Sequence, residues 1–261
     1  MFETKPLNDA VQETEAKRKS MIKIRDLRKV YKLGQEKVVA LDCINLDIYE
    51  GEICCILGTS GSGKSTLLNM MAGLEKPTKG TIHIKDQCIS RMTENELARF
   101  RQRHVGFIFQ SYNLLAPLTA IENVSLPMMF RKVPKADREE EAMRMLTAVG
   151  LEKYILHKPN QMSGGQQQRV GIARAFVGPP AIIFADEPTG NLDSKTTDTV
   201  MELMLQMAKD QNQTLIIVTH DPHIAEFADK VVYIIDGNVE KIELKQGEDT
   251  REYVHIETHH G

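Results

Sequence analysis

The chain has 261 residues, enough to bury a substantial core in one large domain or one domain carrying a sub-domain. Hydrophobic residues make up 41% and charged residues 26%, and the net charge of -3 argues against a surface built for polyanions. No apolar run approaches bilayer length, no basic-then-apolar signal opens the chain, and the four cysteines lack metal-ligand spacing, so a cytosolic globular protein is expected.

Residues 1–20 are polar and read as a flexible leader. Alternating Ile22, Ile24 and the Leu27/Val30 pair predict a strand over 21–30, followed by strands at 38–41 and 44–48. Residues 53–57 form an apolar strand that runs into a glycine-rich loop, and 66–73 read as a helix closed by glycine with Pro77 beyond it. A helix is expected over 94–103, with Leu97 and Phe100 on one face, then a strand over 105–109. Ala142, Met145, Leu146 and Val149 predict a helix over 135–149, and Ser163 is placed as the N-cap of a helix running to Phe176.

Strand 181–186, helix 194–209, strand 214–219, a short helix from Pro222 and strand 231–235 follow, with Asp236-Gly237-Asn238 as a hairpin turn. Residues 245–261 read as a polar tail, in which His255, His259 and His260 suit a solvated segment better than a metal site. Strands alternating with helices predict an α/β fold with a mostly parallel sheet, and the strand-poor stretch 111–175 reads as a helical insertion. The basic residues at 131–144 are interleaved with glutamates, a solvated helix face and no nucleic-acid patch.

Gly58-Thr59-Ser60-Gly61-Ser62-Gly63-Lys64-Ser65 matches G-x-x-x-x-G-K-[ST] at every fixed position, with an apolar strand before it and a helix after it. Glycines let backbone N–H groups turn inward as an anion cradle, and the helix adds its positive end. Lys64 is placed to reach β- and γ-phosphates and Ser65 to offer an oxygen to Mg2+, which together specify a nucleoside triphosphate. The apolar run 181–185 delivers Asp186 and Glu187 to the same sheet edge: Asp186 for the Mg2+ shell, Glu187 as a base that polarises water. Ser163-Gly164-Gly165-Gln166 opens a helix with exposed backbone N–H groups, a second anion site.

The set resembles the ATP-binding cassette (ABC) ATPases: Walker A at 58–65, Walker B at 181–186, and a Ser-Gly-Gly-Gln signature between them. The resemblance spans residues 21–244, with Met162 standing where the family usually has leucine, a swap of similar size. It implies a P-loop NTPase cassette with a RecA-like core, an antiparallel β subdomain and an inserted α-helical subdomain. It also implies that Tyr31 stacks on adenine, that Thr66 follows Ser65 in the nucleotide site, and that Gln110 is the Q-loop glutamine touching Mg2+ and water. Asp193 resembles the D-loop aspartate facing a partner subunit, and His220 the switch histidine on the γ-phosphate. Two copies would then bind ATP head to tail, each nucleotide lying between residues 58–65 of one subunit and 163–165 of the other.

The segments around Gln110 to Leu115 and Phe184 to Ser194 are similar to the branch holding macrolide exporters of the MacB type and lipoprotein-release ATPases of the LolD type. The branch implies a separate membrane permease with a large extracytoplasmic domain, docked near residues 111–130, and a place on the cytoplasmic face of the membrane. DNA-acting cassettes carry a long coiled coil between the Walker motifs, and this chain has no sustained heptads there. A regulatory cassette, as in cell division, is the alternative.

Overall fold

A computed structural model describes residues 18–246, 250–253 and 256–257. Its centre is a parallel sheet of β3 (Ile53–Leu57), β6 (Val105–Phe109), β7 (Ile182–Asp186), β8 (Thr214–Thr219) and β9 (Lys230–Ile235), in the order β9-β3-β8-β7-β6. These strands are apolar on both faces, as parallel strands covered on both sides must be. The pleat divides them between two cores. Cys55, Ile183, Ala185, Leu215 and Ile217 join a cluster with the helices on one face. Cys54, Ile56, Ile182, Phe184, Ile216 and Val218 join a second cluster on the other. Each fully buried aliphatic or aromatic side chain contributes about 1.5–3 kcal/mol by leaving water.

The second core is roofed by an antiparallel sheet of β1 (Ser20–Leu33), β2 (Glu36–Tyr49), β4 (Lys79–Ile84) and β5 (Gln87–Cys88), in the order β2-β1-β4-β5. Ile22, Ile24, Leu46, Ile48, Ile82 and Ile84 point inward from it onto α1 (Lys64–Met71). The segments expected at 38–41 and 44–48 are one strand: the ladder continues through a register shift where Cys43 takes a φ of 53°. The strands β4 and β5 escaped the sequence reading because their inward faces carry few apolar residues.

Helix α2 (Glu94–His104) is closed at its start by a reciprocal Thr93–Glu96 capping box. The helical insertion consists of α3 (Ala120–Phe130), α4 (Lys135–Ala148) and α5 (Gly164–Phe176). Thr119 with Glu122 and Ser163 with Gln166 form the same box on α3 and α5. Buried Asn123 stitches the loop ahead of α3 by bonding Leu115, Leu118 and Thr119 backbone groups. Helix α6 (Ser194–Asp210) and the one-turn α7 (Pro222–Ala225) complete the first core.

Past the Asp236–Gly237 turn, β10 (Asn238–Gln246) pairs antiparallel with β9, and β11 (Thr250–Tyr253) and β12 (Ile256–Glu257) pair with β10. The polar segment from residue 245 thus adds backbone pairing at a sheet edge, at Lys245 and Gln246 with β11 and through β12. The expected leader lies outside the described residues for 1–17, while β1 already starts at Ser20. His255, His259 and His260 also lie outside them.

Candidate active site

The parallel register decides where the site falls. Leu57 pairs with Thr219, Asp186 with Val218, and Phe109 with Asp186. The residues that follow these strand ends, Gly58, Gln110, Glu187 and His220, therefore emerge along one edge of the sheet.

Gly58 leaves β3 where a Cβ would meet the Ile234 carbonyl oxygen at 2.3 Å, so only glycine fits. Gly63 caps α1 at a φ of 103°, and a Cβ there would meet the Ala40 carbonyl oxygen at 2.6 Å. The helix starts at Lys64, two residues earlier than the expected 66, because the loop turns straight into it. Lys64 is buried, and its ammonium donates to the Thr59 carbonyl at 2.7 Å. Burial lowers its pKa, partly offset by the carboxylates of Glu187 and Asp186.

Ser65 Oγ donates to Asp186 Oδ1 at 3.5 Å, across from the end of β7. Burial raises the Asp186 pKa, with the Glu187 charge adding to it and the Ser65 and Lys64 partners opposing it. Glu187 turns off the strand at a left-handed φ of 45°, rare for a side chain with a Cβ. Its Oε2 accepts from Thr219 Oγ1 at 3.1 Å, and its Oε1 lies 2.8 Å from His220 Nδ1. An ionised carboxylate only accepts, so Nδ1 carries the proton in that pair. Gly58, Ser60, Gly61, Lys64, Ser65, Gln110, Glu187 and His220 line one cleft of about 660 Å3.

The other expected residues lie outside this lining. Tyr31 sits on β1, its hydroxyl donating to Glu75 Oε2 at 2.6 Å, with the Lys29 ammonium 5.0 Å from its ring centre. Burial chiefly, and the Glu75 bond, raise its pKa, while Thr66 acts in the opposite sense, which puts Thr66 beside the same hydroxyl. Ser163, Gly164, Gly165 and Gln166 start α5, and Asp193 caps α6 through Thr196 at 3.1 Å. The cradle and the signature serine of one chain thus do not line a common cavity.

Residues 41–190 match the family described as ABC transporter. The chain belongs to the ABC transporter family, as an ATPase cassette. It is 45% identical over 235 residues to the uncharacterized ABC transporter ATP-binding protein MJ0796 of Methanocaldococcus jannaschii, covering 88% of this chain and 100% of the relative. A solved structure described as a dimeric post-hydrolysis state of the cassette MJ0796 bound to ADP and Pi superposes with a TM-score of 0.81 at 43% identity. That match covers 87% of this chain and 100% of that one. The macrolide export ATP-binding/permease protein MacB of Vibrio parahaemolyticus is 44% identical over 84% of this chain, which spans 33% of that protein.

Several side chains that support the site carry no motif of their own. Thr219 holds Glu187, Asn191 Nδ2 donates to the Gln110 carbonyl at 2.8 Å, and Gln168 donates to the Pro188 carbonyl. Arg174 of α5 donates to the carbonyls of Asn113 at 2.6 Å and Tyr112 at 2.8 Å, fastening two left-handed residues after Gln110. No local sequence signal distinguishes Gln168 or Arg174 from other polar residues of a helix, because their partners lie 20 and about 60 positions away.

Proposed function

We propose that the cassette hydrolyses ATP to energise a separate membrane permease of the MacB/LolD type, for efflux or mechanical extraction of a peptide, drug or lipoprotein. The observation that carries this is the convergence of the phosphate cradle, Lys64, Glu187 and His220 on one cleft. Lys64 neutralises phosphate charge, Glu187 takes the proton of the attacking water, and His220 faces the γ-phosphate end of the cleft. The Ser65 and Asp186 oxygens, with the Gln110 amide, suit a hard cation held by few protein ligands and by phosphates. Mg2+ held there would supply charge neutralisation on the β- and γ-phosphates. The adenine reading for Tyr31 is supported by its anchoring to Glu75 and its neighbour Thr66.

The signature residues and Asp193 find their role in a second copy of the chain, placed head to tail so that each cradle faces the partner's α5. The dimeric solved cassettes support this assembly. A groove of about 610 Å3 between α2 and α3 supports the permease reading. Ala98, Leu126, Pro127 and the exposed Phe130 give it an apolar floor, and Arg99 and Arg101 a cationic rim, which suits an amphipathic helix bearing carboxylates. Among the described residues no helix is long and apolar enough to cross a membrane. In this reading a partner supplies the membrane-spanning part, and the cassette docks on its cytoplasmic face.

The test is co-purification in detergent of the Glu187→Gln variant with ATP, read by mass spectrometry. A multi-spanning protein with a large extracytoplasmic domain is expected. Recovery of ribosomal proteins or nucleic acid alone overturns the transport assignment.

A further inference from the structure

The base Glu187 sits in a backbone conformation that its side chain disfavours. Its φ is 45°, and nothing in the local sequence provides the freedom of a glycine at that point. Something outside the turn must hold it. The N–H of Glu187 donates to the Val218 carbonyl at 2.9 Å, and the Gly190 N–H donates back to the Glu187 carbonyl at 3.1 Å. The carbonyl of Pro188, the next residue, accepts from the side chain of Gln168. Gln168 is fully buried and lies on α5, five residues beyond the signature serine. A carbonyl can only accept, so the amide presents its Nε2 to Pro188 and its Oε1 inward, where Oε1 has no partner among the described residues. A buried polar group with part of its hydrogen-bonding capacity unmet calls for a specific explanation, and the bond to Pro188 is the contact it makes.

We propose that Gln168 is a positioning residue for hydrolysis: from the helix that carries Ser163 it holds the Pro188 carbonyl, and so sets where the Glu187 carboxylate stands. The inference rests on Glu187 as the base. Without the Gln168 bond the turn relaxes toward an ordinary backbone conformation, and the carboxylate leaves its contacts with Thr219 and His220. Because α5 begins at the signature residues, the same bond makes the base respond to any shift of that helix.

The test is Gln168→Met, which keeps the length of the side chain and removes both the donor and the unpartnered oxygen. Its kcat for ATP is expected to fall about tenfold, equivalent to about 1.4 kcal/mol of barrier. KM, ATP-driven dimerisation and the thermal midpoint stay near those of the parent, a split that a merely structural role would not produce. In the Glu187→Gln background, single-turnover hydrolysis is expected to be unchanged by the added Gln168→Met. Parent-like kcat in Gln168→Met, or a further tenfold loss in the double variant, overturns the proposal while leaving the base assignment intact. Parent-like turnover by Glu187→Gln alone overturns the base assignment and the proposal with it. If Gln168→Met does not fold, Gln168→Asn, one methylene short of Pro188, is measured against the same outcomes.

Discussion

Replacing Lys64 by methionine isolates the charge of the cradle from its packing. The methionine keeps the buried aliphatic stem in place and removes only the ammonium. That ammonium donates to the Thr59 carbonyl at 2.7 Å, so binding a phosphate exchanges a neutral acceptor for a charged one. Hydrogen bonds to charged groups contribute about 1.5–3 kcal/mol. At about 1.4 kcal/mol per tenfold, ATP affinity should fall about 10- to 150-fold. The fold itself should not suffer. Burial lowers the Lys64 pKa even with Glu187 and Asp186 nearby, so the folded site holds the ammonium less favourably than water does. The thermal midpoint without nucleotide should therefore hold or rise. Equilibrium binding of ATP, by calorimetry, and a thermal melt without it measure the two quantities on one preparation. An affinity within threefold of the parent would refute the phosphate role of Lys64, and a collapsed melt would refute the claim that its charge is tolerated rather than structural.

Glu187→Gln should lower turnover by about 100- to 10,000-fold while leaving an ATP-dependent dimer on size-exclusion chromatography, since the amide keeps the shape and loses the base. Gly63→Ala should destabilise more than Gly61→Ala in chemical denaturation: both have positive φ, but only at Gly63 would a Cβ strike backbone, at Ala40. The conformational part alone is about 1–2 kcal/mol. His223 bridges α7 to Asp198 on α6 at 2.8 Å, and that bond chiefly raises its pKa, with Glu226 and Asp221 adding charge. A raised histidine pKa gives stability that is present below the unfolded value of 6.5 and lost as pH rises through the folded one. Asp198→Asn should thus lower the thermal midpoint at pH 6 and leave it unchanged at pH 8.5. Phe130→Asp should abolish co-purification of the permease with ATPase activity of the isolated cassette retained, and undiminished capture would remove the α2–α3 groove from the docking site.

The core strands and the phosphate loop were legible in the sequence because each is specified locally. Residues 53–57 and 215–218 are unbroken apolar runs of strand length, and the loop at 58–65 needs glycine, lysine and serine at fixed offsets. The N-cap at Ser163 was legible for the same reason, since its box closes within three residues. What stayed hidden depends on partners far along the chain. The strand β4 carries inward apolar residues only at Ile82 and Ile84, and it is a strand because β1 offers it a ladder. Gln168 looks like any polar residue in a helix until Pro188, 20 positions later, is folded against it. The pairing of the polar segments 250–253 and 256–257 depends on the edge that β10 leaves, which a sequence pattern does not carry.

The same non-local dependence places the chemistry. Walker A and Walker B residues are 121 positions apart where Ser65 meets Asp186, and only strand register joins them. β7 and β8 pair with Asp186 opposite Val218, and β3 and β8 with Leu57 opposite Thr219. A slip of β7 by one residue would exchange the faces of Ile183 and Phe184, driving a phenylalanine into space packed for an isoleucine. It would also carry Glu187 by about 3.3 Å along the strand, out of reach of both Thr219 and His220. The two cores therefore do more than stabilise the sheet. By accepting only one register they fix the distance between a cradle that holds phosphate and a carboxylate that must stand within hydrogen-bonding reach of the water beside it.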